Sequence, residues 1–210
     1  MKITKELLEI LVKKIEFNEY YIEATFQFRL LMELARRLGE ASESRIFPER
    51  NIEIYCRDSG YLPKGGEWAK KEIDIVIADG KKIEAAIELK MPMNGQVPEQ
   101  MFKFVEDIKF LEQIKLKDAS AQCFLIVVTN NHSFWRLTGR KEEKGSESIY
   151  SYFRGENAVV PQGVIIEKPT GEKGKKYKLD ASYDIKWKDV GDAKKEFRYF
   201  ITETKPTARS

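Results

Sequence analysis

The sequence predicts an α/β fold built on a mixed central sheet, and three observations carry that prediction. The chain reads in order as helix, helix, strand, strand, strand, helix, apolar strand and then a β-rich section, the alternation of a mixed sheet covered by helices. Between Lys71 and Met91, apolar and polar residues alternate with a period of two on either side of Asp79-Gly80, which is the pattern of two paired strands. From Gln122 to Thr129 the run Gln-Cys-Phe-Leu-Ile-Val-Val-Thr is apolar almost throughout, as in a central strand covered on both faces.

The elements follow in chain order. Ile3 to Phe17 forms an amphipathic helix with Leu7, Leu8, Leu11, Val12 and Ile15 on one side. Asn18 is placed to cap a second helix from about Glu19 to Leu38, which Gly39 ends. That helix is apolar nearly all round, so burial on more than one side is expected. Within it Glu23 and Gln27 are spaced i, i+4 and share a face with Leu30 and Leu34. Such a Glu points either to solvent or to an interior polar site.

Arg45 to Arg57 reads as a strand, followed by a Gly- and Pro-rich loop from Asp58 to Trp68 that leads into the Lys71 hairpin. After a loop from Met91, Pro98 suits a first helical position. The helix it opens runs to about Lys117 with Met101, Phe104, Val105, Ile108, Leu111 and Ile114 as its stripe. Asp107 and Glu112 read as charges on its surface, and His132 as part of the turn after the apolar strand. Arg140 to Glu147 is a charged loop. Ile149–Phe153, Val159–Glu167, Tyr177–Leu179, Ser182–Trp187 and Phe197–Thr202 read as strands or short segments. Lys168 to Lys178, with five lysines around two glycines, reads as a solvated hairpin loop, and Thr204 to Ser210 as a frayed end. The organisation is a core over residues 1–137 and a β-rich extension over 138–210 packed on the same domain.

Composition narrows the function classes. The lone histidine, His132, cannot build a His-rich metal site. No glycine-rich phosphate loop of the P-loop or Rossmann kind is present. Neither the start of the chain nor any later run has the apolar length of a signal peptide or a membrane span. Cys56 and Cys123 lie far apart in strand-like runs, which reads as two free thiols in a reducing cytoplasm. A net charge of +3 neither announces a nucleic-acid partner nor forbids one. Any chemistry therefore rests on carboxylates, lysines and a bound metal.

The hairpin supplies that set. Glu-x-Lys occurs at Glu88, Glu142 and Glu203, but only Glu88-Leu89-Lys90 lies in a buried-looking strand whose partner strand carries an acid, Asp74. Whether Asp74 meets Glu88 depends on the turn. A two-residue Asp79-Gly80 loop pairs Asp74 with Ala85 and puts the two acids on opposite faces. A three-residue loop through Lys81, or an equivalent bulge, brings them to one face and also aligns the isoleucine faces. Mg²⁺ takes oxygen ligands and keeps several waters, so Asp74 and Glu88 can hold it beside a phosphate, with Mn²⁺ as a substitute. Lys90 can then orient water or neutralise the charge that develops on phosphorus oxygens.

Asp74 followed by Glu88-x-Lys90 on a hairpin resembles the PD-(D/E)XK nuclease superfamily, with Ile73 where that pattern has Pro. Glu23-Ala-Thr-Phe-Gln27, Pro48-Glu49-Arg50, the run Phe104 to Glu112, and Val127 to Asn131 continuing to Phe134-Trp135 look like bacterial members of the same superfamily. The resemblance spans residues 20–137. It implies a restriction-endonuclease-like fold and a further metal-directed acid on the helix before the sheet, matched by Glu23. It also implies Gln27 and Glu49 close behind the metal ligands. The expected function is a cytoplasmic, Mg²⁺-dependent endonuclease acting on DNA in restriction or defence. It would work as a homodimer if it cuts both strands. A non-catalytic nucleic-acid-binding module of the same fold and an RNA-directed nuclease are the alternatives.

Overall fold

A computed structural model describes residues 2–17, 22–39, 45–56, 68, 70–93, 95–137, 148–169, 174–191 and 197–205. The expected Asn18 cap, the 58–67 loop, the 140–147 loop and the end of the chain from 206 lie outside the described residues.

One mixed sheet of six strands organises the fold, in the order β1-β2-β3-β4-β10-β9. Its strands are β1 (Ile46–Asn51), β2 (Glu72–Asp79), β3 (Lys82–Lys90), β4 (Gln122–Thr129), β9 (Lys188–Asp189) and β10 (Arg198–Glu203). Only β3 and β4 run parallel; the other neighbours are antiparallel. Helices α1 (Lys5–Lys14) and α2 (Glu23–Leu38) cover one face, and α4 (Val97–Lys117), the crossover between β3 and β4, covers the other. The alternation of the strands sorts the core into two layers. Ile75, Ile87, Leu89, Phe124 and Ile126 meet Leu8, Leu11, Phe26, Leu30 and Leu34. Val76, Ala86, Cys123, Leu125 and Val127 meet Phe104, Val105, Ile108 and Leu111. The apolar run at β4 is buried on both faces because it lies between β3 and β10 with a helix layer on each side.

Three expectations differ. Helix α2 buries a single stripe, Phe26, Leu30 and Leu34, while Ile22 and Phe28 are 61% and 60% exposed. It lies on the outside of the sheet, so spacing of four residues, not total hydrophobicity, decides which side chains it buries. The strand expected to reach Arg57 stops at Asn51. There the Asn51 side chain accepts the Glu53 N–H at 2.7 Å and starts a one-turn helix, α3 (Glu53–Cys56). Cys56 is thus in a helical turn. Ile149–Phe153, rich in strand-favouring residues, is a helix, α5. Ile149, Tyr152 and Phe153 are spaced to pack one face into the α4 core layer, and that packing overrides strand propensity.

The rest of the 138–210 section forms two small antiparallel pairs. These are β5 (Val159–Val160) with β8 (Tyr183–Asp184) and β6 (Ile165–Glu167) with β7 (Lys176–Lys178). The lysine-rich segment is thus partly the β6–β7 hairpin. Its last strand, β10, pairs along six residues with β4 and completes the main sheet.

A buried acid ties this section to α4. Glu112, fully buried, accepts the backbone N–H groups of Asp180 and Ala181 at 2.9 and 3.1 Å and the Tyr183 hydroxyl at 2.9 Å. Its expected place on the helix surface is overturned because the loop before β8 supplies the donors that a buried carboxylate requires. Glu112→Ala should cost about 3 kcal/mol, since it strands those donors in the interior. Urea denaturation should show a lower midpoint at unchanged slope.

Candidate active site

The Lys71–Met91 hairpin closes through a two-residue Gly80-Lys81 turn, with Asp79 opposite Lys82. Gly80 has φ of +57°, the left-handed region that favours glycine. A two-residue turn would leave Asp74 and Glu88 out of phase, but the ladder shifts. Ala78 pairs with Ile83, whereas Ile77 pairs with Ala85, so Glu84 is an extra residue in β3. This bulge is braced by an ion pair between Glu84 and Arg45, the residue before β1, and Arg45 also accepts the Ala78 N–H at 3.0 Å. Beyond it, Ile75 faces Ile87, and one residue further the same register sets Asp74 opposite Glu88.

The site lies at this end of the hairpin, between α2 and α4. Asp74 Oδ2 accepts the Leu89 N–H at 2.6 Å, which turns the carboxylate onto the end of β3. Gln27, from α2, donates to the Asp74 backbone carbonyl at 2.7 Å. Glu23 opens α2, and its Oε2 accepts the Met91 N–H at 2.9 Å, while its Oε1 lies 3.9 Å from the Lys90 ammonium. From the other side comes Asp107 of α4, only 2% exposed. Its Oδ1 accepts from Lys71 Nζ at 2.6 Å and its Oδ2 faces Lys90 Nζ at 3.3 Å. Lys71 Nζ is also 3.4 Å from Glu88 Oε2. Glu88 is 1% exposed, and its Oε1 has no hydrogen-bond partner.

Glu23, Lys71, Lys90, Gln100, Lys103 and Asp107 line a cavity of about 550 Å³. Asp74 and Glu88 sit a layer deeper. The sequence-derived residues Glu23, Gln27, Asp74, Glu88 and Lys90 are therefore gathered at one end of one hairpin. Glu49 is exposed, with φ of +46°, at the one position where the β1–β2 ladder skips a pair, the position across from Asp74.

Two members of the cluster are not expected from the sequence. Asp107, expected as a charge on the helix surface, is buried. Its signal was its spacing: Phe104, Asp107, Ile108 and Leu111 follow the inward stripe of α4 at steps of three, one and three residues. Lys71 stands just before β2 and carries no such signal. No protein family, curated protein or solved structure compared with the chain matches it.

The charges perturb one another. Burial pushes the Glu88 carboxyl well above the usual carboxylate range, and the neighbouring Asp107 adds to the rise against the pull of Lys71. Burial likewise raises Asp74, against the opposing pull of Lys90 and the Leu89 N–H. For Lys71 and Lys90 burial acts downward, but the surrounding carboxylates outweigh it and both ammonium groups are held above the usual lysine range.

These directions fix a pH dependence. A carboxyl raised in the folded state binds more protons there than in the unfolded chain, so stability falls as pH rises from the ordinary carboxylate range through the raised one. Buried Glu112, also raised, acts in the same direction. The lysine contributions persist up to the ordinary lysine range and do not enter this window. Melting temperature should therefore decline as pH rises above the ordinary carboxylate range. Glu88→Gln should remove part of the decline, and calorimetry across that range checks both.

Proposed function

We propose that the protein is a divalent-metal-dependent phosphodiesterase that hydrolyses DNA, with a restriction-endonuclease-like core. The observation that carries this reading is the meeting of Asp74, Glu88 and Lys90 at one end of the β2–β3 hairpin, with Glu23 arriving from the helix before the sheet. The arrangement rests on a bulge that neither strand needs for pairing alone.

The donor set suits Mg²⁺ or Mn²⁺. Asp74, Glu88, Glu23 and Asp107 are four carboxyl groups around two ammonium groups, Lys71 and Lys90. When all are ionised, two negative charges remain to be balanced, the charge of one divalent cation. The unpartnered Glu88 Oε1 is an oxygen donor of the hard type that these ions select. Asp74 and Glu88 would hold the ion, with Glu23 as a third acid. Bound there, the ion would polarise a phosphoryl oxygen and acidify a water.

The chain's own groups divide the remaining work. Leu89 N–H and Met91 N–H fix the orientation of Asp74 and Glu23. Lys90, tied to the Leu89 carbonyl at 2.9 Å, presents its ammonium at the cavity, where it can stabilise charge on a phosphate. Gln27 braces the backbone that carries Asp74. A role in restriction or defence, cutting both strands, would need two such sites and hence a homodimer.

One observation favours the second reading, a nucleic-acid-binding module without catalysis. Among the described residues no three acidic, histidine or cysteine side chains stand together as a ready cage for an ion. Magnesium sites often use only one or two carboxylates and leave the remaining positions to water and substrate, so the nuclease reading accommodates this.

Supercoiled plasmid should be cleaved with Mg²⁺ or Mn²⁺ and not with EDTA. Asp74→Ala and Lys90→Ala should each lower the rate by about a hundredfold or more, the scale of removing one transition-state contact. Binding of plasmid without cleavage under any of these conditions would instead establish the non-catalytic module.

A further inference from the structure

Asp107 and Lys71 enter the reading above only through their charge, yet they stand at the centre of the cluster. Asp107 comes from α4, which covers that face of the hairpin, and its two oxygens meet two different ammonium groups. Lys71 is fixed on three sides: by Asp107 at 2.6 Å, by Glu88 at 3.4 Å and by the Phe110 ring, whose centroid lies 4.9 Å from Nζ. Lys90 is fixed by Asp107 and by the Leu89 carbonyl. Both lysines line the same cavity, with side chains 22% and 18% exposed.

An ammonium group has three N–H donors. Lys71 donates one to Asp107 and has Glu88 as an ion-pair partner at 3.4 Å, and Lys90 donates one to the Leu89 carbonyl and has Asp107 Oδ2 as an ion-pair partner at 3.3 Å. Each therefore keeps one donor for the cavity, and a phosphodiester carries two non-bridging oxygens. A lysine held only for stability has no need of this. Partial exposure at a cavity mouth wastes the attraction of a buried partner, because solvent screens it. A surface ion pair, conversely, has no need of a carboxylate that is 2% exposed.

Resting on the nuclease reading, we propose that Lys71 contacts the DNA phosphate together with Lys90. In the same proposal Asp107 is the positioning residue that holds the two ammonium groups side by side. The consequence is a two-lysine phosphate clamp, one lysine from just ahead of β2 and one from the end of β3, braced from α4. Lys71 contributes mainly to binding. Asp107 contributes through both lysines and touches no substrate.

The test is equilibrium binding of a short fluorescent DNA duplex in EDTA, followed by anisotropy over a salt series. It compares wild type, Lys71→Met, Asp107→Asn and the double variant. Lys71→Met should weaken binding about five- to tenfold and reduce the slope of log affinity against log salt by about one, the signature of one lost phosphate contact. Asp107→Asn should also weaken binding, but by less in the Lys71→Met background than in wild type, because part of its effect runs through Lys71. Wild-type affinity and slope in Lys71→Met would overturn the clamp, and additive effects would overturn the positioning role. If Lys71→Met does not fold, reductive methylation of the wild type decides: duplex should protect Lys71 relative to Lys117 at the other end of α4, and equal labelling overturns the clamp. Plasmid cleavage by the wild type separates the two readings. Cleavage with an unaffected Lys71→Met defeats the clamp alone, whereas neither binding nor cleavage by the wild type defeats the nuclease reading and the clamp together.

Discussion

The structure depends on how it keeps a carboxylate at Glu88, 1% exposed, in the middle of a sheet. Burying an ionised carboxylate costs several kcal/mol unless other charges answer it. The answer comes from three directions: Lys71 ahead of β2, Lys90 two residues on in β3, and Asp107 across the layer on α4. Asp107 by itself worsens the repulsion, since it adds a second buried acid. It becomes favourable only because one carboxylate can hold two ammonium groups, one of which, Lys71, meets Glu88 as well. The packing of α4 against β3 and the alignment of β2 with β3 must both be right for that arrangement to exist. The charge cluster and the fold are therefore one problem.

The alignment is set by the bulge at Glu84. Without the extra residue, the two-residue turn at Gly80-Lys81 would carry a regular ladder toward Asp74 and leave it out of phase with Glu88. The bulge shifts phase once, between Ile77 and Ala78, and the shift serves both layers. Ile83 joins the α4 layer while Ala85, Ile87 and Leu89 join the α1–α2 layer. A hydrophobic pattern thus enforces the register that brings the acids together. Arg45 holds the bulged residue's side chain and pairs with the Ala78 backbone, so β1 helps to fix a site that it does not itself line.

Much of this was legible before the structure. The alternation in the hairpin and the continuous run at β4 fixed the centre of the sheet. The demand that the isoleucine faces coincide required either a longer turn or a bulge, and the bulge is what occurs. Segments went astray where a side chain rewrote the local geometry, as Asn51 does by capping α3, or where tertiary packing outweighed propensity, as at α5. The candidate site was legible in its hairpin part, because period-two spacing ties Glu88 to Lys90. Its remainder was not. Lys71 reaches the cluster from just ahead of β2, which no local spacing records. Asp107 was hidden by the habit of reading every charge on an amphipathic helix as solvated.

Asp107 and Glu112 make that last point sharper, because they sit five residues apart on the same helix and are both buried. Their partners separate them. Glu112 is met by two backbone N–H groups, a tyrosine hydroxyl and Lys109. Those backbone donors would be stranded without it, so its work is finished within the fold. Among the described residues, Asp107 is met by the ammonium groups of two lysines that also line a cavity. Ammonium groups at a cavity wall could have been left to solvent at little cost, and the burial of a carboxylate to restrain them has no return in stability that a neutral packing would not match. A buried acid that satisfies backbone donors reads as structure; one whose given partners are ammonium groups lining a cavity reads as positioning. The same helix supplies both, about one turn and a half apart.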